Sequence, residues 1–257
     1  MNTLKFSKNK KIYFASDQHF GAPSQVSSKI REKKFLEWLC HIEKDVGALF
    51  LLGDLFDCWI EYNSVVPKGF VRVLGKLAIM TDKDIPIYFF VGNHDLWMED
   101  YFKKELGITV FHKPQEFNLN GKSFLIGHGD GLGPGDYGYK RMKKVFTNPI
   151  SKFLFRWIHP DIGLKLAQYL SINKKLSPGE DPVKYDGPEN EYLFQYMLKK
   201  EEEKSRDFYV FGHRHLPLDL PFENSRYINI GDWINHYTYA ELNNHKLLLK
   251  TWKPYND

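Results

Sequence analysis

Five short clusters of aspartate and histidine, each directly after an apolar run, are the part of the sequence best suited to chemistry. They read DQH (17–19), GDLFD (53–57), GNHD (92–95), GHGD (127–130) and GHRH (212–215). Imidazole and carboxylate groups without a thiolate suit Mn²⁺, Fe²⁺ or Zn²⁺ rather than a structural cysteine–zinc site. One such cluster alone is equally typical of a surface turn. All of them together predict a metal site.

The apolar runs before these clusters must bring them together. The runs at 11–16, 47–54, 85–95 and 207–213 are short and apolar, which is typical of buried strands. Helical segments separate the first three, so the pattern predicts βαβ units and a buried, mostly parallel sheet. The carboxyl ends of such strands converge on the ligand crevice of an open α/β sheet. We therefore expect the clusters to form one site.

The ligand set is large enough for two metal ions. Two cations about 3.5–4 Å apart need a carboxylate that can bridge them, and such a pair orients water for in-line attack on phosphorus. Asp54 is the natural bridge, because its strand is central in the order of the chain. The sequence thus predicts hydrolysis at phosphorus.

The composition indicates which partners and which cellular compartment to expect. The 257 residues carry a formal net charge of +4, which is too mild to indicate a nucleic-acid binder. Cys40 and Cys58 form no CxxC pair, and a reduced, cytoplasmic setting follows. The sequence shows neither a signal-peptide core nor the roughly 18 consecutive apolar residues of a spanning helix. We expect a soluble protein, or one peripheral to the cytoplasmic face of the inner membrane.

Residues 131–205 depart from the alternation of strands and helices. We predict a core formed by 1–130 and 206–257, with 131–205 as a helical insertion that acts as a lid. From Phe146 to Ile158 the apolar residues recur at helical spacing and form a stripe. Two interpretations stay open: an amphipathic helix packed on the core, or a lid that binds acyl chains and rests on an anionic membrane surface.

The series of motifs resembles the calcineurin-like metallophosphoesterase superfamily over residues 11–130 and 207–232. This resemblance implies an α/β fold, a four-layer αββα sandwich with a helical lid insertion. It also implies two divalent metal ions, with Mn²⁺ expected and Fe²⁺ or Zn²⁺ as alternatives. The implied ligands are Asp17, His19, Asp54 and His215 for the first metal and Asp54, Asn93, His128 and His213 for the second.

The same resemblance implies roles for the remaining polar residues. A hydroxide between the metals would be the nucleophile. His94 would lie near the leaving-group oxygen as general acid or charge stabiliser, with Asp95 orienting its ring. Asp57 would support the site rather than bind metal. Asp130 would either orient His128 or shape its loop.

Within the superfamily, three stretches resemble the UDP-2,3-diacylglucosamine pyrophosphatases of lipid A synthesis. They are FLLGDLFDCWIEY (50–62), HGDGLGPGDYGYKRMKKVFTNPISKFLFRW (128–157), and GHRHLP (212–217) followed by GDW (231–233). The resemblance implies cleavage of the substrate pyrophosphate to UMP and 2,3-diacylglucosamine 1-phosphate. The residues that this places beside the substrate are Asn93, Asp136, Tyr139, Lys140, Arg141, Lys143, Lys144, Phe153 and Trp157.

Other functions remain open at this point. The third motif reads GNHD (92–95), the general superfamily form, where the best-known pyrophosphatases of this kind have GNRD. Another phosphodiesterase or phosphatase, acting on a nucleotide, a cyclic nucleotide or a phosphoprotein, is one alternative. A nuclease is another, because the basic, aromatic stretch 139–157 could follow a single strand, although we expect no nucleic-acid partner. A non-catalytic scaffold is disfavoured, since no ligand position is lost.

Overall fold

Two six-stranded sheets form the centre of the protein. The structure is a computed structural model and describes residues 2–7, 9–173 and 184–253. The strands are β1 (Asn2–Leu4), β2 (Lys11–Ala15), β3 (Val46–Leu51), β4 (Ile87–Phe90), β5 (Thr109–Phe111), β6 (Gln115–Leu119), β7 (Lys122–Ile126), β8 (Phe208–Phe211), β9 (Pro217–Phe222), β10 (Ser225–Ile230), β11 (Thr238–Asn243) and β12 (Lys246–Thr251). The helices are α1 (Ser28–Ile42), α2 (Val71–Asp82), α3 (Tyr101–Leu106), α4 (Tyr137–Phe146), α5 (Pro149–Arg156), α6 (Pro160–Asn173) and α7 (Tyr192–Glu203).

The first sheet has the order β12-β11-β2-β3-β4-β5, and its strands β2 to β5 run parallel. Helices α1, α2 and α3 connect these strands in turn. The predicted βαβ units are therefore confirmed in this half of the fold. The second sheet, β1-β6-β7-β8-β10-β9, mixes parallel and antiparallel neighbours.

Buried apolar side chains form three layers, one between the two sheets and one on the outer face of each sheet. These layers are separate because successive side chains of a strand point to opposite faces of the sheet. In β2, Tyr13 and Ala15 pack against the side of α1, α2 and α3, while Ile12 and Phe14 pack between the two sheets. On the far side of the second sheet lies α7, which buries Leu193 and its neighbours there. The order helix, sheet, sheet, helix confirms the predicted four-layer sandwich.

Helices α4, α5 and α6 contribute no described residue to these three apolar layers. Polar contacts tie α4 and α5 to the core, together with the ring of Phe155, which packs on Trp97. Trp97 Nε1 donates to the carbonyl of Phe146 at 2.9 Å. Lys152 Nζ lies 3.0 Å from Glu99 Oε1, and Arg156 pairs with the same carboxylate. No helix in the described ranges has both the length and the apolarity needed to cross a membrane.

The apolar stripe expected on one helix from Phe146 to Ile158 is divided between two helices. Helix α4 ends at Phe146 and α5 begins at Pro149. Between them the side chain of Asn148 accepts a hydrogen bond from Ile150 N at 2.8 Å. Asparagine is favoured as a helix N-cap, and proline is favoured at the first helical position, where an N–H has no helical partner. The Asn-Pro pair therefore begins a new helix.

The division into a core and an insertion stays a prediction. Helix α7 belongs to the predicted insertion, 131–205, yet it packs on the second sheet as the fourth layer. Helices α4 to α6 lie outside the layers. Residues 174–183 of the predicted insertion lie outside the described residues.

Candidate metal centre

The loops that follow the strands hold several predicted ligands in an unusual backbone conformation. Positive φ angles occur at Asp17 (58°), His19 (44°), Asp54 (52°), His213 (67°) and His215 (52°). Residues other than glycine rarely adopt this region, and each such residue costs on the order of 1–3 kcal/mol. Neighbouring loops hold these conformations, as when His19 N–H donates to the carbonyl of Asp54 at 2.9 Å. Their concentration at one edge of the fold indicates a functional site.

Gly92 allows two of these loops to meet. A Cβ atom at Gly92 would lie 2.2 Å from Asp54 Oδ1. The same carboxylate oxygen accepts a hydrogen bond from His94 N at 2.9 Å. The GNHD motif thus needs glycine first, because any side chain there would displace the Asp54 carboxylate.

Asp17, His19 and His215 form a first group, whose ligand atoms all lie within 4.8 Å of one another. His215 Nε2 lies 3.3 Å from Asp17 Oδ1 and 3.2 Å from His19 Nε2. Asp17 Oδ1 is buried and has no hydrogen-bond partner in the described part of the chain. Leaving a buried carboxylate oxygen without a partner is costly. A divalent cation at this group would satisfy it.

Asp54, His128 and His213 form a second group with the same spacing. His128 Nε2 lies 3.3 Å from Asp54 Oδ2 and 3.3 Å from Asn93 Oδ1. The same Asp54 oxygen lies 3.6 Å from His19 Nε2 of the first group. Asp54 therefore faces both groups, as a bridging ligand must. Imidazole, carboxylate and amide oxygen donors fit Mn²⁺, Fe²⁺ or Zn²⁺.

Hydrogen bonds to the other ring nitrogen orient two of these imidazoles. His128 Nδ1 lies 2.6 Å from the carbonyl of Leu52, and His215 Nδ1 lies 3.3 Å from Asp232 Oδ2. A donated Nδ1–H leaves Nε2 free to bind metal. No role was predicted for Asp232 from the sequence, although Asp232 lies in the GDW motif (231–233).

The charges of the site suit metal binding. Burial alone would raise the pKa of Asp17 and of Asp54, but the nearby histidines outweigh it and hold both values well below the usual range. Burial, helped by the charge of His128, lowers the pKa of His213 to about 4. At neutral pH these carboxylates are ionised and the His213 ring is neutral. Metal ligands need those protonation states.

His94 lies beside Asp54 at the edge of the two groups, and its ring is held by Asp57. His94 Nδ1 lies 2.8 Å from the backbone carbonyl of Asp57 and 3.4 Å from Asp57 Oδ1. Burial lowers the pKa of His94, but Asp54 and Asp57 outweigh burial and raise it to about 9. A protonated ring in this place can donate to a leaving-group oxygen.

Asp95 makes different contacts from those expected. Its Oδ1 accepts from Gly92 N at 2.6 Å and its Oδ2 accepts from Leu55 N at 3.1 Å. Asp95 thus holds the backbone of two ligand loops. The role of orienting the His94 ring, which the sequence assigned to Asp95, fits Asp57 better because Asp57 contacts the ring nitrogen.

Two cavities reach the metal centre, and α4 lines both. The first, about 600 Å³, reaches His128 and has a basic wall formed by Lys113, Lys140, Arg141, Lys143 and Lys144. The second, about 250 Å³, reaches Asn93 and His94 and has a mainly apolar wall that includes Trp97, Met142, Phe146 and Phe155. Opposite faces of α4 line the two cavities, because side chains three or four positions apart share a helix face. We call them the basic cavity and the apolar cavity.

The structure distributes the predicted substrate residues unevenly. Arg141 and Lys144 line the basic cavity and are exposed. Asp136 is the N-cap of α4, where its side chain accepts from Tyr139 N. Phe153 is 59% exposed and Trp157 is 80% exposed, and neither lines either cavity.

The other predicted substrate residues on α4 bond to the protein itself. Lys140 Nζ donates to the carbonyl of Gly133 at 2.6 Å, and Lys143 Nζ and the Tyr139 hydroxyl both donate to Asp130. Lys113, Trp97, Met142 and Phe155 were not singled out from the sequence, although they line the cavities.

Comparison with known proteins gives consistent matches. The model of the calcineurin-like phosphoesterase family matches residues 10–217. A UDP-2,3-diacylglucosamine hydrolase of Porphyromonas gingivalis is 36% identical over 258 residues, which cover 94% of this chain and 97% of the relative. A protein of the same name from Pseudomonas fluorescens is 29% identical over 78% of this chain and 80% of the relative. Yfce, a phosphoesterase from E. coli, aligns at 18% identity with a TM-score of 0.46, over 92% of this chain and 90% of that one.

The family model spans most of the chain, and the Porphyromonas gingivalis relative matches it over nearly its whole length. The chain therefore belongs to the calcineurin-like phosphoesterase family.

Proposed function

We propose that this chain hydrolyses the pyrophosphate of UDP-2,3-diacylglucosamine to UMP and 2,3-diacylglucosamine 1-phosphate, a step of lipid A synthesis. The observation that carries the proposal is the pair of cavities beside the metal residues, one basic and one apolar. The substrate has an anionic nucleotide half and an apolar acylated half, joined by the anhydride that is cleaved. Two relatives named as hydrolases of this compound support the assignment.

Divalent metal ions are the cofactor that the family implies, and we propose two Mn²⁺ ions, with Fe²⁺ and Zn²⁺ as alternatives. When bound, such a pair supplies an activated water molecule and neutralises phosphate charge. Asp54 would bridge the two. The proposed ligands are Asp17, His19, Asp54 and His215 for one ion and Asp54, Asn93, His128 and His213 for the other.

The basic cavity suits the nucleotide half of the substrate. The side chains of Lys113, Arg141 and Lys144 form no ion pair or hydrogen bond with any other described residue. Cations in a cavity beside a metal centre attract a phosphate. Lys140 and Lys143 are bonded to the protein, so they shape the wall of this cavity more than they offer charge.

The apolar cavity suits an acyl chain of the sugar half, and His94 lies on that side of the centre. Water would add to the uridylyl phosphorus, and the bond from that phosphorus to the bridging oxygen would break. The sugar 1-phosphate leaves with this oxygen. His94, held by Asp57, would donate a proton or a hydrogen bond to it.

Helices α4 to α6 would act as a lid, within the proposed insertion at 131–205 on a core of 1–130 and 206–257. We further propose that α5 rests on the cytoplasmic face of a membrane. Apolar rather than basic side chains would make this contact, because Lys152 and Arg156 already pair with Glu99. The exposed apolar side chains of α5 and its C-cap are Ile150, Phe153, Leu154 and Trp157.

The test compares three substrates in the presence of Mn²⁺: UDP-2,3-diacylglucosamine, bis-p-nitrophenyl phosphate and single-stranded DNA. The highest kcat/KM for the first, with UMP as product, supports the proposal. Higher efficiency on DNA would contradict it and favour a nuclease. In ¹⁸O-labelled water the label should enter UMP, and label in the sugar phosphate would contradict the assigned direction of attack.

A further inference from the structure

The carboxylate of Asp130 lies between the metal ligands and helix α4. Asp130 follows His128 by two residues and is 5% exposed. Its Oδ2 accepts hydrogen bonds from the Tyr139 hydroxyl and from Lys143 Nζ, the latter at 2.5 Å. Tyr139 and Lys143 are four residues apart on α4 and so share one face of that helix. Helix α4, which lines both cavities, thus donates two hydrogen bonds to the buried carboxylate of Asp130 in a ligand loop.

Asp130 is not needed to orient His128. The carbonyl of Leu52 accepts from His128 Nδ1 at 2.6 Å and already fixes that ring. The hydrogen bonds of the Asp130 side chain therefore serve α4 rather than the imidazole.

Helix α4 depends on such contacts, because none of its residues is buried. A helix normally gains most of its stability from packing an apolar face. Three polar contacts hold α4 instead. Lys140 bonds to Gly133 near its start, Asp130 holds its middle, and Trp97 bonds to the carbonyl of Phe146 at its end.

We propose that Asp130 is a positioning residue for substrate binding, which sets the distance between α4 and the metal ligands and hence the shape of both cavities. The identity of the substrate rests on the proposed function, but the positioning does not. Asp130 is not one of the proposed metal ligands, and its Oδ2 is bonded to Tyr139 and Lys143. Its loss should therefore weaken binding of a substrate that fills both cavities more than it slows the chemical step.

The first test is Asp130→Asn, which removes the charge and keeps the shape. The KM for UDP-2,3-diacylglucosamine should rise about tenfold, the effect of weakening one hydrogen bond to a charged group. Both kcat and Mn²⁺ content should change less than about twofold, and the KM for bis-p-nitrophenyl phosphate should rise less. Asp219→Asn makes the same substitution in a more exposed ion pair with Arg226, in the strand pair β9–β10, and serves as the control for loss of a carboxylate charge.

A second test does not depend on the substrate. In Asp130→Asn the backbone amides of α4 should exchange hydrogen faster, while those of α5, held by Glu99, should not. Glu99→Gln should produce the opposite pattern. Unchanged exchange in α4 would overturn the proposal, even if UDP-2,3-diacylglucosamine proved not to be the substrate.

A double-variant cycle tests whether Asp130 acts through α4. If it acts through Lys143, the double variant Asp130→Asn/Lys143→Met should raise KM no more than the worse single variant. Lys143→Met alone tests the same contact should Asp130→Asn fail to fold. Additive effects would show that Asp130 acts independently of Lys143, and an equal loss of kcat on both substrates with KM unchanged would show that Asp130 acts on the metal centre. Either result would overturn the proposal.

Discussion

Among single residues, His94 is the one whose substitution best distinguishes a role in the chemical step from a role in metal binding. It lines the apolar cavity, and Asp57 holds its ring. We expect His94→Ala to lower kcat by about 10²–10⁴-fold, the usual contribution of a general acid. Mn²⁺ content measured by atomic emission should not change. His94, His19 and Asp54 also form a group whose possible ligand atoms lie within 4.8 Å of one another, so loss of metal would instead make His94 a ligand. His245→Ala, in an exposed turn, is the control.

Two other histidines should release protons when metal binds. Burial lowers the pKa of His128 and of His215, but Asp54 and Asp17, respectively, outweigh burial and raise both to about 10. At pH 7 both rings are therefore charged in the metal-free protein, and a ligand must be neutral. Calorimetry of Mn²⁺ binding in two buffers with different ionisation enthalpies should show proton release. Heats that do not depend on the buffer would contradict this expectation.

The same rings give the metal-free protein a pH-dependent stability. Their pKa values in the folded protein lie above the ordinary value of 6.5. The stability they contribute is therefore fully present below pH 6.5 and is lost as the pH rises through about 10. We expect the Tm of the metal-free protein to fall between pH 7 and pH 10 in thermal scans. The Tm of the Mn²⁺-loaded protein should fall less, and equal slopes would contradict the expectation.

The residues that come together in the candidate metal centre could be predicted from the sequence because each follows an apolar strand. Residues that reach the site through contacts with distant parts of the chain could not be predicted in this way. Asp232 reaches His215 only through the packing of the chain after β10, and Lys113 faces α4 across a cavity that no local pattern encodes. The contact of Asp57 with His94 likewise joins two separate loops.

At the level of elements, α5 presents two different faces to two different environments. Phe155 lines the apolar cavity and lies with its ring centre 4.7 Å from that of Trp97. Phe153 and Trp157 point to solvent, at 59% and 80% exposure. The sequence predicted the stripe but not which residues face inward. The helix is interrupted at Asn148-Pro149, so spacing counted from α4 does not show which face of α5 points inward.

This division leads to a paired prediction. Phe155→Ala enlarges the apolar cavity and should raise the KM for UDP-2,3-diacylglucosamine in detergent micelles several-fold, while binding to anionic vesicles stays the same. Phe153→Ser/Trp157→Ser should weaken vesicle binding in a flotation assay and leave the micellar KM nearly unchanged. If both variants changed the same quantity, the two faces of α5 would not have separate roles.

At the scale of the whole molecule, the site forms only where the two sheets meet. Asp17 and Asp54 follow strands of the first sheet, while His128 and His213 follow strands of the second. The alternation of strands and helices predicted the first sheet well. The sequence did not show that α7 covers the second sheet, because α7 falls in the stretch that breaks the alternation of strands and helices. Helix α7 nevertheless directly precedes β8 and packs against β7, β8, β9 and β10.

Since both sheets supply proposed ligands, metal should stabilise the entire fold. Mn²⁺ at a hundred times its Kd adds about 2.7 kcal/mol for each site, which in a chain of this size raises Tm by roughly 5–10 °C per site. Differential scanning fluorimetry with and without EDTA measures the difference. Asp54→Ala removes the proposed bridging ligand, which belongs to the second group and lies 3.6 Å from His19 of the first, so its Tm should hardly respond to Mn²⁺. A full Mn²⁺ response in Asp54→Ala would show that Asp54 does not bridge the two ions.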